Sequence, residues 1–301
     1  MPPRITPLPS GLADGPFTVA SARAAGLGPG RLRSRDLETP TSGVRRPVAE
    51  DAPDLSLHAR CVALALPDDI AFSHLTAARL IGLPTPRPWP GPDEPLDVIR
   101  ESWRPRVERM GCRHHRGLET RTALGLDGLR TVAAVDTWCD LGASWSEPDL
   151  LAAADVLLRR RWTSVTDLLA AVGARAGARG AIRLRRVAPL ARAGSASPGE
   201  SHARWWFHVW GLPEPELNAE VLDAHGQWTA TVDFRWREQK VVGEYDGDVH
   251  RTDRRTWRND RERRAALEDD GWRYVELTAL SLSDAARRDA LRRRLIRLLG
   301  A

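Results

Sequence analysis

Apolar side chains recur three and four residues apart through the middle of the chain. His58–Leu66, His74–Ile81, Val132–Leu141, Asp149–Arg160 and Ser164–Val172 each carry this spacing, which predicts helices with one buried face. Leu96–Arg100 and Met110–His115 predict short strands. Six prolines between Pro84 and Pro95 predict an extended, exposed connection. Ahead of this region the pattern is finer. Thr18 is placed to cap a short helix that Gly26 stops, and Pro29 opens a second short helix carrying Arg31, Arg33 and Arg35. Leu37 to Val48 predicts two short strands around Gly43.

Past a stretch rich in Gly, Ala, Arg and Ser (Arg175 to Ser197), whose last part predicts a hinge, the rhythm changes. Helix Pro198–Trp210 leads to strand-like runs at Asn218–Asp223, Trp228–Trp236 and Lys240–Asp246. A charged helix (Arg254–Asp270), a strand (Trp272–Thr278) and a closing helix (Asp284–Leu299) follow. The expected architecture is α/β in three regions. Residues 11–47 form a small domain, 48–193 a mostly helical middle domain, and 195–301 an α/β sandwich on a small mixed sheet. Seven of the twelve tryptophans lie in the last region, where core and helix–sheet packing accounts for them.

Composition narrows the class. With 42% hydrophobic and 28% charged residues over 301 positions, wholesale disorder is excluded. No run approaches the ~18–20 apolar residues that cross a bilayer, and the first residues hold no apolar core of a secretory signal. Cys61, Cys112 and Cys139 suit neither a disulfide framework nor a zinc pair, so a cytoplasmic protein without a membrane partner is expected. The net charge is +5, and Lys240 is the only lysine. Arginine is the side chain best shaped for bidentate phosphate contacts, and a GC-rich genome, in which arginine codons are common, gives the same skew. The charge permits a nucleic-acid partner without demonstrating one.

The chemistry concentrates between Thr231 and His250. Asp233 falls near the end of one strand, and Glu244 and Asp246, two apart on the next, emerge on one face. A hairpin through Arg237–Gln239 would let the three carboxylates converge. Such crowding is tolerable when a cation sits among them or when one carboxyl keeps its proton. Oxygen ligands suit Mg²⁺ or Mn²⁺ completed by a substrate phosphate, which implies phosphodiester hydrolysis by a metal-activated water. His250 is placed to orient or deprotonate that water, or to bind the ion. Glu200 could reach the ion through water. It is also the third helical residue of the capping-box pattern Ser197-Pro-Gly-Glu200, and the two roles are compatible. Taken singly, each residue has a plainer account: Asp246-Gly247 is a turn dipeptide, Asp233 could pair with an arginine, and His250 could be a surface histidine.

These residues also carry a resemblance. Gly199-Glu-Ser, Gly211-Leu-Pro-x-Pro, Val232-Asp-Phe, Glu244-Tyr-Asp-Gly, His250, Asp260-x-x-Arg263, Leu267, Gly271-Trp272 and Leu277-Thr278 follow one another. The order resembles that of the very-short-patch-repair-endonuclease-like branch of the PD-(D/E)XK nuclease superfamily. The resemblance covers about the last third of the chain. It implies a restriction-endonuclease-like core with Asp233 and Glu244 as metal-binding acids and Glu200 on the leading helix. Asp246 stands where many superfamily members carry lysine. Glu276 stands where relatives show arginine, and the zinc-binding cysteines of the repair enzyme have no counterpart. Asp260 and Arg263 also have the spacing of a plain intrahelical ion pair.

Phe17-Thr, Ala24-Ala-Gly, Leu32-Arg33 and Gly43-Val44 resemble, over a shorter span, the winged-helix segment of AbiEi-type antitoxins. That likeness implies Arg31, Arg33 and Arg35 facing DNA, with Arg45 and Arg46 on the wing. A small solvated domain with a basic face accounts for the same residues. The Arg251–Arg264 stretch, with Arg251, Arg254, Arg255 and Arg263, suits either a phosphate clamp or a solvated helix face. The final helix has leucines at core spacing, so its arginines are expected at the surface. His114 and His115 alternate on a strand, so no joint metal site is expected there. The resulting expectation is an Mg²⁺- or Mn²⁺-dependent DNA endonuclease. The alternatives are an antitoxin-like DNA-binding regulator with a catalytically degenerate nuclease fold, and a purely structural partner of another protein.

Overall fold

The computed structural model describes residues 6–48, 54–223, 225–247 and 254–301, and over 254–261 the backbone alone. The chain is mixed α/β, with three sheets among the described residues. It divides into two compact units, Met1–Asp140 and Leu141–Ala301. Among the described residues no helix is long and apolar enough to cross a membrane.

The first unit opens with α1 (Ser10–Ala13), β1 (Phe17–Thr18), α2 (Val19–Ala24), β2 (Leu37–Glu38) and β3 (Val44–Pro47), the strands in the order β1-β3-β2. Thr18 Oγ1 accepts the Ser21 N–H at 2.9 Å and so caps α2. Gly26, at φ +82°, follows its end. The second short helix expected after Pro29 is only a three-residue 3₁₀ turn, Arg31–Arg33. Gly28 and Gly30 flank its start, and glycine is a poor helix former.

The rest of this unit comprises α3 (Leu55–Ala63), β4 (Ala71–Phe72), α4 (His74–Leu80), β5 (Leu96–Arg100), β6 (Cys112–Arg116), β7 (Ala123–Leu126), β8 (Leu129–Val132) and α5 (Ala134–Leu141). Its five strands order as β6-β5-β4-β8-β7. The helices that the periodicity predicts here form as α3, α4 and α5, and strands β4, β7 and β8 join the two expected strands β5 and β6. The β7–β8 hairpin turns on Asp127-Gly128, both at positive φ (+47° and +81°), as a tight two-residue hairpin turn requires. Alternate strand residues feed two clusters: Phe72, Leu96 and Val98 pack with α3, while Ala71, Ile99 and Val132 pack with Leu118.

The second unit comprises α6 (Glu147–Arg159), α7 (Val165–Ala174), α8 (Ala181–Val187), α9 (Pro198–Val209), β9 (Glu216–Leu222), β10 (Trp228–Trp236), β11 (Val241–Asp246), α10 (Arg254–Asp269), β12 (Arg273–Thr278), α11 (Ala279–Ser283) and α12 (Ala285–Leu299). Helix α8 forms inside the Gly/Ala/Arg-rich stretch because Ala181, Leu184 and Val187 make one buried stripe. The sheet order is β12-β11-β10-β9, with β11 and β12 parallel and the other pairs antiparallel.

Val241, Val275 and Leu277 pack with Phe207 of α9 and Leu291, Leu295 and Leu299 of α12. Val242 and Tyr274, the alternate residues, pack with Leu267 of α10. Phe207 meets Phe234 edge-on at 5.1 Å between ring centroids, and its truncation to alanine would cost about 3–5 kcal/mol. Helix α9 is fixed from behind by a buried ion pair. Asp155 of α6 accepts from Arg204 Nη1 (2.6 Å), Ser201 Oγ (2.7 Å) and the Arg192 N–H (2.7 Å).

Candidate functional site

The β10–β11 ladder runs from Trp236↔Val241 to Phe234↔Gly243 and stops. At the next residue the Asp233 carboxylate takes over, Oδ2 accepting the Tyr245 N–H at 2.7 Å. The apolar neighbours change partners at the same point. Phe234 and Trp236 belong to the Phe207 cluster, whereas Ala230 and Val232 belong to the Leu267 cluster. Beside β10, Asn218 of β9 has φ +45°, a left-handed conformation that asparagine tolerates. Asp233 thus sits where the sheet loses regularity, half-buried and with its ladder position given to a side chain.

Glu244 and Asp246 share one side of β11 by alternation. Glu244 Oε2 accepts from Arg263 Nη2 of α10 and from the Tyr274 hydroxyl of β12, both at 2.8 Å. Arg263 Nη1 reaches the Thr231 carbonyl at 3.3 Å. Glu244 is 13% and Arg263 33% exposed, so the ion pair borders solvent on the arginine side. Asp246 is half-buried opposite Thr278.

Between Glu244 and Asp246, Tyr245 turns the other way and packs at the Phe207 cluster. Its ring lies against Gly199 so closely that a Cβ there would overlap it. That approach needs glycine at the second residue of α9 and sets the position of Glu200, the third. Glu200 is buried, and its N–H donates to the Ser197 cap at 3.2 Å. Its Oε2 accepts from Ala196 N (2.8 Å) and Asn218 Nδ2 (3.2 Å). The carboxylate therefore caps one residue earlier than the capping-box pattern implies.

Burial pushes the Asp233 carboxyl up to about 6. The Tyr245 N–H works against that rise, the negative charges of Glu200 and Glu244 add to it, and the Arg263 charge offsets part of it. Glu200, Asp233 and Glu244 are thus one electrostatic group. Burial, then the neighbouring Glu244 carboxylate, pushes the Tyr274 hydroxyl up, so it remains a hydrogen-bond donor. Among the described residues, no three His, Cys, Asp or Glu side chains gather closely enough to hold a metal ion by themselves. Two carboxylates suffice for Mg²⁺ when waters and a substrate phosphate complete the octahedron. Asp233 and Glu244 are the two carboxylates that would meet that demand, with Arg263 and Tyr274 sharing one Glu244 oxygen.

His250 and Arg251 lie outside the described residues, and Arg254 and Arg255 stand in the first turn of α10 without described side chains. In the first unit Arg31 is engaged by Asp36 through two bonds (2.8 and 3.0 Å) and by the Thr6 carbonyl. Arg33 and Arg35 are exposed. Arg45 turns inward onto the Leu32 carbonyl (2.9 Å), and buried Arg46 pairs with Glu38.

The first unit also holds a polar cluster that the sequence pattern did not reveal. His115 Nε2 meets Asp97 Oδ1 at 2.8 Å, and Arg113 approaches the same oxygen at 3.1 Å. His74 stacks on His115 with ring centroids 3.6 Å apart. Burial, reinforced by His115, holds the His74 imidazole down at about 4. The available signal was Asp97, a carboxylate inside the apolar run Leu96–Ile99, but its partners come from two other elements.

No family model and no solved structure matches the chain. Two proteins of Mycobacterium tuberculosis do: the uncharacterized proteins MT2308 (strain CDC 1551 / Oshkosh) and Rv2248 (strain ATCC 25618 / H37Rv). Each is 28% identical over 170 residues, covering 56% of this chain and 59% of its own length. The match thus spans less than two thirds of either relative.

Proposed function

We propose that the second unit is a divalent-metal-dependent DNA endonuclease of the PD-(D/E)XK kind. Asp233 and Glu244 would hold Mg²⁺ or Mn²⁺. The observation that carries the reading is Asp233, a half-buried carboxylate at the interrupted end of a strand pair, crowded by Glu200 and Glu244. A cation is the partner that most directly relieves such crowding. When bound, the ion polarises a phosphate oxygen and lowers the pKa of a water.

The chain's own residues have separate tasks in this reading. Asp233 and Glu244 set the ion's position, and Tyr245 N–H and Tyr274 O–H fix the two carboxylates. Glu200, held by Ala196 and Asn218, adds negative charge behind Asp233. Asp246, half-buried on the same side of β11 as Glu244, would reach the ion through water. The exposed Arg33 and Arg35 would contribute to DNA binding through phosphates.

Incubation of the full chain with supercoiled plasmid and with single-stranded DNA, across Mg²⁺ and Mn²⁺ titrations, tests the proposal. Cleavage that D233N and E244Q abolish supports it, and uncut DNA under every condition refutes it.

A second reading has a specific observation in its favour. Arg263 already neutralises Glu244, and an ion pair of that kind would suit a regulator that binds DNA but no longer cuts it. Such a protein would bind DNA in EDTA and take up no metal through Asp233.

A further inference from the structure

We propose that Arg263 is an exchangeable ligand of the site. Its guanidinium rests on Glu244 in the metal-free protein, yields that carboxylate to the incoming divalent cation, and then binds the substrate phosphate. This rests on the nuclease reading above and extends it to a residue with two successive partners.

The geometry supports the exchange. Arg263 and Tyr274 both donate to Oε2 of Glu244. The tyrosine is a neutral donor and can remain while a cation binds, because a carboxylate offers several lone-pair sites. The guanidinium carries the same sign of charge as the metal, so the two compete for one anion. Arg263 is one-third exposed whereas Glu244 is 13% exposed, which leaves the arginine a route outward from α10. A second contact, to the Thr231 carbonyl at 3.3 Å, is long. Once displaced, the planar fork of donors has the shape for a phosphate. DNA and metal should consequently bind with positive cooperativity: the metal removes the arginine's first partner and the phosphate supplies its second.

Two titrations of the full chain test the exchange. The first is Mn²⁺ calorimetry on wild type, R263Q, R263K and Y274F. The second is fluorescence anisotropy of a labelled DNA duplex with and without Ca²⁺. Loss of the competing charge should tighten Mn²⁺ binding about tenfold or more in R263Q. R263K keeps the charge and should stay close to wild type. Y274F removes only the neutral donor and should not reproduce the R263Q gain. In wild type, Ca²⁺ should tighten DNA binding, and in R263Q that enhancement should be lost.

R263Q binding Mn²⁺ no more tightly than wild type overturns the exchange while leaving the two-carboxylate site standing. R263Q gaining metal affinity but keeping the Ca²⁺ enhancement of DNA binding overturns the phosphate step. Absence of Mn²⁺ uptake in both wild type and R263Q overturns the exchange together with the reading on which it rests.

Discussion

Asp233 Oδ2 and the Tyr245 N–H, 2.7 Å apart, replace a backbone rung with a side-chain one at the end of the β10–β11 ladder. The carboxylate thereby gains a fixed orientation at a point where the strands separate. Burial pushes its pKa up to about 6, with Glu200 and Glu244 adding to the rise. A carboxyl raised from about 3.9 in the unfolded chain favours the folded state fully below the unfolded value, and that contribution is lost as pH rises through about 6. D233N keeps an acceptor for Tyr245 and removes the charge. At pH 8 it should be more stable than wild type by about 2 kcal/mol, and near pH 4 the two should coincide. Thermal unfolding at both values checks this.

The contact between Gly199 and Tyr245 predicts a packing defect. A Cβ at position 199 has no room against the ring, so G199A should cost about 1–3 kcal/mol by overpacking. It should also shift the α9 terminus that carries Glu200. A double-mutant cycle with Tyr245→Ala is decisive: the double variant should recover most of the G199A loss. Equal losses from G199A with and without the ring would show that the contact is not the cause.

Asp155 and Arg204 form the buried anchor of α9. Breaking the pair from one side leaves an uncompensated buried carboxylate, so Arg204→Met should destabilise the second unit by about 3–5 kcal/mol. Adding Asp155→Asn should restore part of that loss, because it removes the buried charge while the amide oxygen still accepts from the Arg192 N–H and the amide nitrogen can donate to the Ser201 hydroxyl. Chemical denaturation of the two variants measures the difference.

In the first unit, burial and His115 hold the His74 imidazole down at about 4, below its ordinary 6.5. For a depressed base, stability is fully present above the unfolded value and is lost as pH falls toward the folded one. This unit should weaken between pH 6.5 and 4, by up to about 3 kcal/mol. An NMR titration should show the His74 ring signals constant until well below pH 6.

Much of the second unit was legible because its signals are local. The alternation from Trp228 to Trp236 gives β10 its observed bounds, and Pro198 with Ser197 marks the start of α9. The acid pattern Asp233, Glu244, Asp246 falls on the paired strands β10 and β11, joined as the expected hairpin. It did not show that Arg263, named from the motif on the following helix, pairs with Glu244, nor that the Tyr274 hydroxyl reaches Glu244 from a parallel neighbour. The middle sheet was harder to see. β4 is two residues long, and the β7–β8 hairpin depends on a two-residue turn flanked by short runs. The His74–His115–Asp97 cluster joins a helix start to two strands, a conjunction with no sequence spacing of its own.

A crystal soaked in Mn²⁺, with diffraction recorded at the manganese edge, tests the central claim most directly. The account predicts an anomalous peak ligated by one oxygen each from Asp233 and Glu244, with the Arg263 guanidinium moved off Glu244. Arg263 still seated on Glu244, with no manganese between the two carboxylates, would contradict it.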